Sequence, residues 1–218
     1  MKEFIHWEWR GFGAVTPRFA EEFLALPIYT KFQKVDDLYI WAPGLETNIK
    51  FRTGAEDGLK FKRREDTQAP FQKWREDPNE IFDMPLNQDQ WNTLATEMKA
   101  CGIDLPAYEP SICSNRQAVQ KTLRSAGSTL IQVSKQRTAR YYNHNAMKIA
   151  VEWAVISSPV KSVSIGLENV DKHNNDNKTL SGLHDALESL GLSEEPLNDA
   201  SYLNMLEKWA PRSANSKK

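Results

Sequence analysis

The chain has 218 residues, 40% apolar and 26% charged, with 10 glycines, 11 prolines and two cysteines. That balance excludes collagen-like, low-complexity and wholly disordered chains, and Cys101 and Cys113 supply neither a disulfide framework nor a cysteine-rich zinc site. Twenty-eight basic against 29 acidic residues give a net charge of −1, so affinity for a polyanion has to come from a local concentration of positive charge.

Residues 1–10 carry charge at both ends and no signal-peptide core, and no apolar run nears the roughly 20 residues that span a bilayer. The expectation is a cytoplasmic globular protein with no membrane partner. The first residues alternate instead: Phe4, His6, Glu8 and Arg10 point one way, and Ile5, Trp7 and Trp9 the other. Period two predicts a strand with one polar and one apolar face, ended by Gly11 and Gly13. Thr16 before Pro17 reads as an N-cap with proline at N1, opening a short helix through residue 26.

Strand patterning returns at residues 37–41, 48–52 and 59–63, with turns at Pro43-Gly44 and at residues 54–58. Lys73, Trp74 and Arg75 either extend the basic path or form an edge strand with a packed tryptophan. Residues 76–116 read as an irregular insertion that includes a helix over 86–100, and residues 114–125 as a second helix. Strands follow at 130–142, 147–156 and 163–168. A polar loop over 171–177 leads to a leucine-spaced helix that stops at Gly191, and a last helix covers 199–209. Residues 1–212 form one domain, and 213–218 a disordered tail. Most of the seven tryptophans are expected to pack the outer wall against helices.

The polar faces of these strands hold Glu8 and Arg10, Lys50 and Arg52, Lys60 and Lys62, Lys135 and Arg137, then Glu152 and Glu168. Charged residues ordinarily line the wet face of an antiparallel sheet. The alternative closes the sheet into a barrel, with aliphatic and aromatic residues outward under helices and the charged set lining the lumen. A lumen crowded with Lys and Arg repels itself when empty and is satisfied by a dense polyanion such as a triphosphate or polyphosphate. Carboxylates among those cations suit Mg²⁺ or Mn²⁺.

In this order the motifs resemble the CYTH-like, triphosphate tunnel metalloenzyme superfamily. His6-Trp7-Glu8-Trp9-Arg10 stands where that family has an ExExK strand. Asp37-Leu38-Tyr39, Lys50-x-Arg52, Lys60-x-Lys62, Lys135-x-Arg137, the strand ending in Glu152 and the one ending in Glu168 follow, and Leu190-Gly191-Leu192 and Ser201-Tyr202-Leu203 close the chain. The resemblance implies an α+β fold, an antiparallel β-barrel tunnel with a polar, cation-lined interior and flanking helices. It also implies Glu8, Glu152 and Glu168 as catalytic metal ligands, and Arg10, Lys50, Arg52, Lys60, Lys62, Lys135 and Arg137 as phosphate-binding residues.

The chain departs from the pattern at His6 and Arg10, and at Ser164 and Gly166 where further acids are common. His6 is a poor Mg²⁺ ligand that Mn²⁺ tolerates better, and it reads as a neutral hydrogen-bonding group. The resulting expectation is a divalent-metal-dependent phosphohydrolase acting on inorganic or nucleoside triphosphate, with RNA 5′-triphosphate ends the only nucleic-acid partner in view. The alternatives are a non-catalytic polyphosphate or nucleotide binder, a cyclase-type activity, or an interaction protein. Ile49 and Phe51 inside, with Lys50 and Arg52 in water, would support the last.

Overall fold

The computed structural model describes residues 3–53, 58–145, 147–170 and 175–215. Its first strand, β1 (Phe4–Gly13), runs past Gly11 and ends at Gly13. A Cβ on Gly13 would lie 2.3 Å from the Pro196 carbonyl oxygen, and one on Gly11 would meet the Trp9 ring. The missing side chains let a neighbouring segment close onto this end of the strand. Helix α1 (Pro17–Ala25) begins as its cap predicts, the Thr16 hydroxyl accepting from the Phe19 N–H at 3.3 Å.

Strand β2 (Ile28–Trp41) starts well before residue 37. Its first half is mostly exposed, so no apolar alternation marked it in the sequence. There follow β3 (Thr47–Arg52), β4 (Gly58–Gln68) and β5 (Phe71–Glu76). The insertion holds a 3-10 turn (Pro78–Glu80), β6 (Ile81–Phe82), α2 (Gln88–Ala100) and α3 (Pro110–Cys113). Helix α2 opens on a capping box between Asn87 and Gln90. After α4 (Arg116–Ser125) come β7 (Thr129–His144), β8 (Met147–Ser158) and β9 (Ser162–Asn169), then α5 (Asp176–Ser189), β10 (Leu197–Asp199) and α6 (Tyr202–Asn215). Residues 54–57 of the expected turn at 54–58, 171–174 of the loop at 171–177 and 216–218 of the tail at 213–218 lie outside the described residues, while Asp176 and Asn177 open α5 and residues 213–215 belong to α6. No helix among the described residues is long and apolar enough to cross a membrane.

Eight strands close a ring in the order β1-β5-β4-β3-β2-β7-β8-β9, and β9 returns to β1. Every pairing is antiparallel, and the closing register runs from Glu8↔Glu168 to Gly13↔Val163. β10 adds to β1 at the glycines, and β6 to β4. Leu38, Ile40, Ile49, Phe51, Leu59 and Phe61 face outward and pack with Trp91, Leu94 and Met98 of α2 and Val119 and Leu123 of α4. On the opposite wall Trp7, Trp9, Val151, Ile165 and Leu167 pack under Phe19 and Phe23 of α1 and Leu183 and Leu187 of α5. Burial of each large apolar side chain contributes about 1.5–3 kcal/mol. A one-residue slip would exchange these groups for the charged set, so the apolar pattern pins the register. Ile49 and Phe51 therefore lie outside the lumen, and the opposite-face arrangement that would have supported the interaction-protein reading is not found.

The interior is not polar throughout. Phe12, Ile131, Val133 and Ile156 share the inward parity of the charged residues and pack with Tyr202, Leu203, Leu206 and Trp209 of α6. The last helix thus closes one end of the barrel, and the charged lumen opens at the other.

Candidate functional site

The ring brings all ten sequence-selected residues into one cavity of about 320 Å³. Glu8 and Arg10 come from β1, Lys50 and Arg52 from β3, and Lys60 and Lys62 from β4. Lys135 and Arg137 come from β7, Glu152 from β8 and Glu168 from β9. Lys135, Lys50 and Arg10 are nearly buried, whereas the side chains of Arg137 and Glu168 retain 27% and 31% of their exposure. Depth therefore increases from the Arg137–Glu168 mouth toward Tyr39 and Tyr202, whose rings stack 5.6 Å apart. The Lys135 ammonium sits 4.4 Å over the Tyr202 ring and donates to its hydroxyl at 3.1 Å.

Two acids that the sequence reading did not select complete the electrostatics. Asp37, fully buried, meets Lys50 at 3.2 Å, Arg52 at 3.1 Å and Lys135 at 3.8 Å. Glu76, at the end of β5, meets Lys60 at 2.6 Å and Lys62 at 3.4 Å. Glu8 binds Arg10 and Lys62, each at 2.6 Å, and Glu152 binds Arg10 at 2.9 Å and Arg137 at 3.1 Å. The lumen is not the self-repelling cage expected from its cations, because seven Lys and Arg face five carboxylates among the described residues.

These contacts set the protonation states. Burial by itself would raise the Glu8 carboxyl, but the Arg10 and Lys62 charges overcome it and hold Glu8 well below the ordinary carboxylate range. Asp37, Glu76 and Glu152 are likewise pushed up by burial and pulled down further by their Lys and Arg partners. Lys50 shifts the other way: burial and the Arg52 charge depress it despite Asp37, so an added anion would favour its charged form. For the four acids the folded pKa lies below the unfolded one, so their stabilisation is full above the unfolded values of about 4 and is lost as pH falls below them. The urea midpoint, followed by tryptophan fluorescence, is expected to drop steeply from about pH 5 toward pH 3. An Asp37→Asn, Glu152→Gln variant should flatten that drop.

The third basic stretch divides differently from either sequence expectation. β5 lies between β1 and β4 and is not an edge. Its Trp74 lines the lumen under the Lys62 ammonium at 5.2 Å, while Lys73 pairs with Asp176 and Arg75 with Glu3 and Glu65, away from the cavity. Alternation from Trp74 to Glu76 was the signal that could have found Glu76. An insertion boundary at residue 76 hides it, because the strand runs to Glu76 itself.

His6 also differs from expectation. It is 1% exposed, yet neither ring nitrogen has a hydrogen-bond partner among the described residues. Its Nε2 stands 3.8 Å from Glu8 and 3.7 Å from Glu168. The three side chains offer ligand atoms that all lie within 4.8 Å of one another. Glu152 is outside this group, and its two oxygens meet Arg10 and Arg137. Gly166, where acids were expected to be common, is explained by volume: a Cβ there would lie 2.7 Å from the Arg10 guanidinium.

No family model and no curated protein matches the sequence. Among solved structures, the conserved hypothetical protein Pfu-838710-001 from Pyrococcus furiosus is similar, with a TM-score of 0.50 and 11% identity over 90% of this chain and 98% of that one. The PH1012 protein from Pyrococcus horikoshii OT3 is similar at a TM-score of 0.50 and 15% identity, over 90% and 97% respectively. Likeness at this identity defines the fold alone. The closed, charge-lined barrel is the tunnel fold implied by the resemblance to the triphosphate tunnel superfamily.

Proposed function

We propose that the tunnel binds a triphosphate-bearing substrate and hydrolyses it with a divalent cation. The observation that carries this reading is the convergence of seven Lys and Arg side chains from four strands inside one cavity. Arginines provide planar, paired donors and lysines compact charges, which together hold an extended phosphate chain by its oxygens. The excess of cations over carboxylates is only two, less than the charge a triphosphate brings, so a metal ion completes the balance. The donor set fits such an ion: Glu8 and Glu168 offer carboxylate oxygens and His6 an unpartnered nitrogen. A bound Mg²⁺ or Mn²⁺ supplies Lewis-acid polarisation of a phosphoryl oxygen.

The chain's own residues do the positioning. Lys50, Arg52 and Lys135, gathered around Asp37, receive the inner phosphates. Arg10 and Arg137, braced by Glu152, grip the phosphoryl group beside Glu8. Phosphoryl transfer needs mainly such placement and charge stabilisation, and no nucleophilic side chain is required. Inorganic triphosphate is the simplest substrate, since the sequence carries no base-recognition motif. Separate assays of phosphate and pyrophosphate release from inorganic and nucleoside triphosphates with Mg²⁺ or Mn²⁺ test the proposal. Phosphate release supports it, and pyrophosphate without phosphate from a nucleoside triphosphate would place cleavage at the α-phosphate, where a cyclic nucleotide product marks a cyclase.

A second reading, a binder without turnover, draws on the firm pairing of Glu8 and Glu152 to cations. It predicts triphosphate binding in EDTA and no phosphate release with either metal. Gly166→Ala is expected to leave the melting temperature nearly unchanged, because the tip of Arg10 can shift. Triphosphate affinity should weaken about tenfold, equivalent to about 1.4 kcal/mol, as calorimetric titration would measure.

A further inference from the structure

We infer that His6 is a nitrogen ligand of the tunnel's metal, so that the site prefers Mn²⁺, or a similar transition ion, over Mg²⁺. The inference deepens the metal-dependent reading of the same tunnel and rests on it for the metal's purpose, but it can fail separately. A buried histidine kept for packing normally finds a hydrogen bond for at least one nitrogen. His6 has none among the described residues, though it is 1% exposed and its ring is fixed by stacking on Phe4 at 4.5 Å. No hydrogen bond among the described residues offsets the desolvation of that imidazole.

What faces it is acidic. Nε2 lies 3.7 Å from one Glu168 oxygen and 3.8 Å from one Glu8 oxygen. These separations are too long for hydrogen bonds. They suit two atoms that each bind a common ion at about 2.0–2.2 Å, which can stand no more than about 4.4 Å apart. Glu168 makes no ion pair with Lys or Arg among the described residues, unlike the other four tunnel acids. Glu8 is paired with Arg10 and Lys62, but a carboxylate has about four lone-pair sites and keeps acceptor capacity toward a metal. The set is thus one imidazole nitrogen with two carboxylates. Mg²⁺ favours oxygen ligands and retains its waters, whereas first-row transition ions accept imidazole more readily.

The test uses the whole protein with Mn²⁺ alone, read by electron paramagnetic resonance and by pulsed detection of ¹⁴N coupling. Wild type should bind Mn²⁺ with a ¹⁴N coupling and resist displacement by a tenfold excess of Mg²⁺. His6→Gln should remove the coupling and reduce the Mn²⁺ preference at least tenfold. Glu168→Gln should weaken Mn²⁺ binding while His144→Gln leaves it unchanged, which guards against a His6 variant that fails to fold. A wild-type spectrum without nitrogen coupling, or a coupling that survives in His6→Gln, overturns the inference. If phosphate release proceeds equally with Mg²⁺ and no coupling is seen, the inference falls and the hydrolase reading stands. If the coupling is present but no triphosphate is cleaved, the inference stands and the hydrolase reading falls.

Discussion

The Lys50→Ala, Arg52→Ala double variant is expected to lose triphosphate binding by roughly 10²- to 10⁴-fold. Hydrogen bonds to charged groups contribute about 1.5–3 kcal/mol each, so removing two costs about 3–6 kcal/mol of binding. Both residues project from β3 into the deep part of the cavity. They also carry two of the three cations around buried Asp37 among the described residues, leaving it Lys135 at 3.8 Å as its remaining cation there. Breaking one side of a buried ion pair destabilises by about 3–5 kcal/mol, so the double variant should melt well below wild type. Adding Asp37→Asn removes the stranded charge and separates the two effects. The triple variant should recover most of the melting temperature and none of the affinity, with inorganic triphosphate titrated calorimetrically in EDTA. Affinity that returns with stability would mean that these cations serve only the fold.

Glu8→Gln is expected to cut metal-dependent phosphate release at least a hundredfold, about 2.7 kcal/mol or more at the barrier, while triphosphate still binds in EDTA. The amide keeps the shape of the carboxylate but removes the charge shared by Arg10 and Lys62 at 2.6 Å. Those two cations then lose their attraction to Glu8 and become more available to phosphate, so metal-free binding should hold or tighten. Stability should fall with the loss of the paired charge. Initial rates with Mg²⁺ and with Mn²⁺, beside calorimetry without metal, resolve the two effects. Unchanged turnover would exclude Glu8 from the metal site.

The charged half of the lumen was readable because it obeys a local rule. Lys50 and Arg52, Lys60 and Lys62, and Lys135 and Arg137 each sit two apart on strands whose other face is apolar, and strand geometry alone puts each pair on one side. Asp37 was visible as part of a strand motif, but its role depends on three cations that approach from β3 and β7. Trp74 showed the opposite weakness. Most tryptophans pack helices on the outer wall or at the closed end, yet this one lines the lumen because β5 sits inside the ring and its even-numbered residues face inward. Composition carries no record of which side of a closed sheet a residue meets.

By itself the sequence determined the alternation, the capped start of α1, the order of the strands and the pairing of cations on common faces, because these follow from backbone period and near-neighbour chemistry. Only the tertiary structure decided that the charged face turns inward, that α6 seals one end and that His6 meets Glu168. Those outcomes depend on the β1–β9 register, which joins residues 150 or more positions apart, and no local preference of the chain encodes a contact across that distance.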